Sequence, residues 1–297
     1  MTLPKILVIL GPTASGKSDL AVELAKIFNG EVISADSRQI YKGLDIGSGK
    51  ITKKEMCGVP HYLLDACSPK KIFSVAEYKK LADEKIINTL KRNKLPIICG
   101  GTGFYIDAVV QNITLPEVSP NPELRKKLEN KNLEELQTIL KELDSERYET
   151  VDTKNKIRLI RAIEIATELG SVPQIGSNPN YEVLSIGIDW PENILKERIH
   201  KRIISRIKKG MIKEVENLHK AGLSWKRMFA LGLEYRYISL FLQKKISKEE
   251  MLETLNFQTW HYVKRQMTWF KRNKKICWLT PDNISKSEDL VRLFLKK

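Results

Sequence analysis

Five apolar residues in succession, Ile6-Leu7-Val8-Ile9-Leu10, run into a glycine-rich octet and then into a pattern beginning near Asp19, where Leu20, Ala21, Leu24, Ala25 and Phe28 recur at helical intervals. The spacing predicts a buried strand, a turn and a helix that packs on the sheet and stops at Asn29-Gly30. A second strand is expected at 31–35, delivering Asp36-Ser37-Arg38-Gln39 to its carboxyl end, where open α/β sheets place their ligands. The stretch from Tyr41 to Pro60 holds four glycines and little periodicity, and reads as a mobile loop. Ser74 and Glu77 form a capping box that opens a helix whose buried stripe is Val75, Tyr78, Leu81, Ala82, Ile86 and Leu90. Pro96-Ile97-Ile98-Cys99 predicts another strand, leading into the turn Gly100-Gly101-Thr102-Gly103 and a short helix over 104–110.

From Pro116 to about Gly170 the pattern is helical, with starts at Asn121-Pro122, at Asn132 with Glu135, and near Lys154. A loop follows over 171–180, and a strand returns at 183–188. The chain therefore reads as α/β, a parallel sheet flanked by helices in residues 1–115 and 181–297, with an all-helical insertion at 116–180. Beyond Pro191, Leu195, Ile199, Ile203 and Ile207 form one stripe of a helix, and Arg198, Arg202 and Arg206 form the adjoining one. Ser247 with Glu250 caps a further helix that runs past Trp260 to Arg272. A short strand over 276–279 and a helix over 285–295 are expected to close the fold.

Charge changes this picture from a plain α/β domain to one with an anionic partner. Lys and Arg number 51 against 36 Asp and Glu, a net charge of +15, which favours a nucleic acid and predicts salt-sensitive association. No acidic residue occurs between Glu253 and Asp282, while Lys264 and Arg265 alternate with aromatics, a pattern suited to unpaired RNA. Trp269 and Phe270 are assigned to the core instead. Four cysteines without paired or zinc-like spacing read as reduced thiols. No leader or apolar run of membrane-spanning length is evident, so a cytoplasmic protein without a membrane partner is expected, a monomer by default.

The octet Gly11-Pro12-Thr13-Ala14-Ser15-Gly16-Lys17-Ser18 has the spacing G-x-x-x-x-G-K-[ST], in which small residues let backbone N–H groups surround phosphate oxygens at a helix N-terminus. Lys17 would reach the outer phosphate and Ser18 would offer its hydroxyl to Mg²⁺. Asp36 would face this site, its competing role being to cap a turn. Arg158 and Arg161 are neighbours on one helix face, where a salt bridge from Arg161 to Glu164 is the bland alternative to a ligand contact.

Five strings taken together resemble the tRNA dimethylallyltransferases, over nearly the whole chain. They are the octet; Asp36-Ser37-Arg38-Gln39-Ile40-Tyr41 with Gly43-Leu44-Asp45-Ile46-Gly47; Gly100-Gly101-Thr102-Gly103-Phe104-Tyr105; Arg158-Leu159-Ile160-Arg161-Ala162-Ile163-Glu164; and Lys264-Arg265-Gln266-Met267-Thr268-Trp269-Phe270. The resemblance implies a P-loop core and transfer of a dimethylallyl group from dimethylallyl diphosphate to the exocyclic amine of the adenosine 3′ of a tRNA anticodon. It further implies that the octet holds diphosphate, that Asp36 accepts a proton, that Thr13 lies beside the diphosphate and that Arg202 neutralises it. Asp36 to Gln39, Thr102, Arg125, Ile157, Arg158, Leu159, Ile160 and Arg161, and Phe229, Ala230, Leu231, Gly232, Leu233 and Glu234, match positions that meet the tRNA anticodon stem-loop. Asp152-Thr153-Lys154-Asn155 stands where the family usually has His-Pro-Asn-Asp, Leu231-Gly232-Leu233-Glu234 where it has Ile-Gly-Tyr-Lys, and Trp260 where arginine is common. Rival readings are an isopentenyltransferase acting on free adenine nucleotide, a small-molecule P-loop kinase, and a non-enzymatic RNA-binding module.

Overall fold

The computed structural model describes residues 3–174 and 176–296, which divide into two units, Met1–Asn112 with Pro179–Lys297, and Ile113–Asn178. Ile175, in the loop expected over 171–180, lies outside the described residues. Among these residues six strands form one parallel sheet: β1 (Lys5–Leu10), β2 (Gly30–Ser34), β3 (His61–Tyr62), β4 (Leu95–Gly100), β5 (Glu182–Ile188) and β6 (Cys277–Leu279). Their order is β3-β2-β4-β1-β5-β6. Ile6, Val8 and Leu10 of β1 enter one core layer and Leu7 and Ile9 the other. Alternate side chains point to opposite faces, and helices cover both, so the strand must be apolar throughout.

The helices of the first half are α1 (Lys17–Ile27), α2 (Lys53–Met56), α3 (Val75–Lys91) and α4 (Gly103–Val110). The smaller unit holds α5 (Pro122–Glu129), α6 (Leu133–Leu143), α7 (Ser145–Thr150) and α8 (Lys156–Leu169). The chain continues with α9 (Glu192–Lys208), α10 (Met211–Lys220), α11 (Trp225–Leu231), α12 (Leu233–Leu242), α13 (Lys248–Phe270) and α14 (Lys286–Lys296). None of the described helices is long and apolar enough to cross a membrane. The capping boxes at Ser74, Asn132 and Ser247 form as their spacing predicts, each cap contributing about 1 kcal/mol to its helix.

The smaller unit has a core of its own, in which Leu136 and Leu140 of α6 meet Leu159 and Ile163 of α8. Beside that core Glu164 is buried, and its carboxylate takes both arms of Arg125 (2.7 and 2.6 Å), one from Arg161 (3.2 Å) and the Asn121 N–H (2.9 Å). Burial raises the Glu164 pKa, but these donors outweigh it and hold the group below the usual carboxylate range.

Tyr41 to Pro60, expected as a mobile loop, is instead tied down. Tyr41 and Leu44 are buried, α2 interrupts the stretch, and the Glu214 carboxylate of α10 accepts the N–H groups of Asp45, Ile46 and Gly47. Lys50 adds bonds to the Tyr41 carbonyl and to Asp45 and Asp65. The partners lie far along the chain, so glycine content alone misjudged the order of this segment.

Candidate functional site

The carboxyl ends of β1, β2 and β4 place three loops at one edge of the sheet: the octet 11–18, Asp36 to Gln39, and Gly100 to Gly103. Gly100 has no room for a side chain, since a Cβ there would lie 2.1 Å from the Ala35 carbonyl oxygen. That close approach brings the second and third loops together, and the Thr102 hydroxyl accepts the Ser37 N–H at 3.0 Å.

The octet itself is cradled from three directions. Arg198 of α9 donates to the Ala14 carbonyl and Trp190 to the Ser15 carbonyl, both at 2.8 Å, with the guanidinium stacked 4.3 Å from the indole. Gln266 of α13 accepts the Thr13 N–H at 3.0 Å and donates to the Gly101 carbonyl at 2.8 Å. The Ser15 N–H turns back to the Pro12 carbonyl. Among the described residues this leaves the N–H groups of Ala14, Gly16, Lys17 and Ser18 without acceptors at the start of α1. A run of unpaired donors at the positive end of a helix suits phosphate oxygens.

A cavity of about 720 Å³ opens over this loop. Its lining takes in Thr13, Ala14, Ser15, Gly16, Lys17, Ser18, Asp36, Ser37, Arg38, Gln39, Arg202, Leu231, Gly232, Leu233, Glu234 and Arg265. Gly11, Pro12, Thr102, Phe229, Ala230 and Lys264 do not line it. Gly11 and Pro12 build the loop from behind, Thr102 holds Ser37, and Phe229 stacks under Arg236 on the surface. Arg125 and Ile157 to Arg161 belong to the smaller unit, where Ile157 and Arg158 are exposed. Leu159 and Ile160 are 0% and 7% exposed there, so their side chains serve that unit's core and offer no surface to RNA.

Cations dominate the cavity. Lys17 donates to the Pro12 carbonyl at 3.2 Å, and burial pushes its ammonium below the usual lysine range; Arg202 adds to that push while Asp36 opposes it. Burial and the adjacent Arg206 push Arg202 down to about 10, and Glu234 and Asp36 counter them. Arg202 has no hydrogen bond or ion pair among the described residues, whereas Arg206 bonds Glu234 and the Gly47 carbonyl, both at 3.2 Å. Gly49, at φ +61°, is what lets the two guanidiniums in, because a Cβ there would collide with both. The arginine stripe of α9 is thus turned inward at Arg206, which is buried.

Asp36 has both of the roles considered for it open to it. Its Oδ1 accepts the N–H groups of Arg38 (2.8 Å) and Gln39 (3.3 Å), which is a turn cap, and the same carboxylate lines the cavity facing Lys17 and Arg202. Arg38 reaches across to the Leu231 carbonyl at 2.5 Å and pins the α11–α12 junction beside it. Sequence reasoning left Arg198, Arg206, Gln266, Trp190 and Glu214 without roles. The four-residue arginine spacing could have found the first two; Gln266 stands inside the string Lys264 to Phe270 with no sign of its partners, and nothing local marks Trp190 or Glu214.

Known proteins similar to this chain point in one direction. The profile of the family described as IPP transferase matches residues 39–273. The tRNA dimethylallyltransferase 2 of Treponema denticola is 44% identical over 274 residues, covering 90% of this chain and 92% of that protein. The tRNA dimethylallyltransferase of Acetivibrio thermocellus is 41% identical over 300 residues, covering 98% and 96%. The solved structure of a full-length tRNA isopentenylpyrophosphate transferase from Bacillus halodurans superposes with a TM-score of 0.75 at 33% identity, covering 98% of this chain and 97% of that one.

Proposed function

The chain belongs to the IPP transferase family, and from that premise we propose that it moves a dimethylallyl group from dimethylallyl diphosphate to the exocyclic N6 amine of the adenosine 3′ of a tRNA anticodon. The observation that carries this reading is the cavity, where a phosphate loop with open amides, an unpaired arginine and a carboxylate meet.

An adenine amine is a weak nucleophile, so the enzyme must stabilise the leaving group and aim the attack. The N–H groups of Ala14, Gly16, Lys17 and Ser18 receive the diphosphate, and the Lys17 ammonium and Arg202 guanidinium stabilise the charge that builds as its carbon–oxygen bond breaks. As the new carbon–nitrogen bond forms, Asp36 accepts the proton released by the amine. Arg206 keeps Arg202 company without competing for its ligand, since Glu234 and Gly47 occupy it. Ile51, Leu231 and Leu233 are aliphatic members of the lining and supply the apolar wall for the dimethylallyl group.

Mg²⁺ binds through one or two protein oxygens and the phosphates of its substrate, and it needs no cage. The donor set fits. No cluster of three or more His, Cys, Asp or Glu that could hold a metal occurs among the described residues, yet Ser18 and Asp36 line one cavity. Ser18 would hold the ion, which when bound supplies further charge neutralisation on the diphosphate.

For RNA, Arg265 lines the cavity, Lys264 lies exposed on the same helix, and Arg38 and the Leu231 to Glu234 segment frame the opening. In the smaller unit Ile157 and Arg158 are the exposed candidates. Extraction of the target base from its stack is required to reach Asp36. The test is label transfer from radiolabelled dimethylallyl diphosphate to anticodon stem-loop RNA, with AMP and ATP hydrolysis as parallel arms. Label in RNA and none in AMP is expected; label in AMP alone, or ATP turnover without transfer, contradicts the proposal.

A further inference from the structure

Ala14 sits at φ +63° inside the phosphate loop, a conformation that a non-glycine residue keeps only when its surroundings hold it on both sides. Two side chains do so. After Ala14, Arg198 takes its carbonyl; before it, Gln266 takes the Thr13 N–H. Gln266 is 5% exposed and sits in a helix whose neighbouring buried positions, Val263 and Phe270, are apolar. A buried amide at such a place is costly unless both ends are bonded, and here both are: Oε1 to Thr13 at 3.0 Å and Nε2 to the Gly101 carbonyl at 2.8 Å. Gly101 is shaped to this amide, since a Cβ at that position would stand 2.3 Å from the Gln266 Nε2.

Resting on the reading of the cavity as a diphosphate site, we infer that Gln266 is the positioning residue of the phosphate loop. By joining Thr13 to Gly101 it fixes one limb of the loop against the end of β4, with two consequences. The Thr13 N–H is withdrawn from the set of phosphate donors, and the strained Ala14 is kept in the conformation that aims the remaining amides into the cavity. Without the amide, Ala14 relaxes towards negative φ and the donor set loses its alignment. Amides aimed in advance are what make such a loop effective.

The test uses the full-length protein and inorganic diphosphate as the probe. Gln266→Met keeps the volume of the side chain and removes both bonds. Titration calorimetry is expected to show diphosphate binding weakened about tenfold, the loss of roughly one well-aligned hydrogen bond. Binding of anticodon stem-loop RNA should stay within about twofold, and in transfer assays the KM for dimethylallyl diphosphate should rise while that for RNA holds. A purely structural role predicts something else, a lower melting temperature with both ligands affected alike or neither. Should Gln266→Met not fold, Gln266→Asn, which withdraws the amide by one methylene, is expected to give the same selective loss. Diphosphate affinity within twofold of wild type in a folded variant overturns the inference, whatever the wild-type transfer assay says of the function.

Discussion

Two groups of arginines, one in each unit, show how the same side chain is put to different uses. In the smaller unit Arg125 and Arg161 converge on the buried Glu164, which also takes the Asn121 N–H; Arg125 thereby holds α5 against α8, and Arg161, on the same helix as Glu164, also donates to the Val118 carbonyl ahead of α5. In the larger unit Arg202 and Arg206 share one cavity with Lys17, and among the described residues Glu234 pairs with Arg206 alone. Arg202 is left with neither carboxylate nor carbonyl among the described residues. A half-buried guanidinium without a partner is unfavourable by itself. Under the proposed function a diphosphate supplies the missing charge in the cavity, while the smaller unit has a glutamate of its own. The difference teaches that an arginine's availability, rather than its presence, marks a site.

The comparison can be broken at either end. Removing Arg202 should do most: with Arg202→Ala, transfer is expected to slow by about 10²–10³, the loss of one transition-state charge partner, with the melting temperature little changed. Near-normal turnover at saturating substrates would take Arg202 out of the site. Next comes Glu164→Gln, which strips the smaller unit of its counter-charge and should destabilise that unit by about 2 kcal/mol, seen as faster hydrogen exchange across α5 and α8. The same link has a pH signature. Because the folded Glu164 pKa is lowered, its stabilising contribution is complete above the unfolded carboxylate value and disappears as pH falls through the folded one. Acid should therefore loosen α5 and α8 in the wild type and have less effect in Glu164→Gln. The smallest effect is expected from charge reversal of Lys264 and Arg265 together: the log–log salt dependence of RNA binding becomes shallower by about one for each phosphate no longer neutralised, and diphosphate binding is retained. An unchanged slope would assign both side chains to ordinary solvated surface.

What could be read from the sequence was local. The octet announces its strand, loop and helix because small residues, a lysine and a serine at fixed spacing have few other uses. Capping boxes at Ser74, Asn132 and Ser247 start helices where their chemistry says they should. The Arg161 to Glu164 pair was visible as a three-residue step, and it was weighed there only as a bland surface contact. That Arg125 shares the same carboxylate was not, since the partner lies 39 residues away. Distance along the chain also hid the tie between Glu214 and the 45–47 backbone, and with it the order of a glycine-rich stretch. Between Ile207 and Ser247 no element was read, although Met211, Val215 and Leu218 of α10 recur at helical spacing, and β3, with two residues, is too short to show any period. For the site, Lys17 and Asp36 were read from the phosphate-loop spacing and the strand end, and the roles of Thr13 and Arg202 came from the family resemblance; Gln266 stands inside one of the matching strings, but its backbone bonds, like that of Trp190, have no local signature.

Asp36 decides whether this cavity performs the chemistry or merely shelters anions. Its Oδ1 caps the turn that begins at its own position, and asparagine can cap the same turn. Asp36→Asn therefore separates capping from proton acceptance on one scaffold. With RNA binding, diphosphate binding and melting temperature recorded on the same preparation, single-turnover transfer from dimethylallyl diphosphate to anticodon stem-loop RNA is predicted to fall by about 10²–10⁴ while both ligands still bind. Transfer within a few-fold of wild type would contradict the account and leave Asp36 as a turn cap alone.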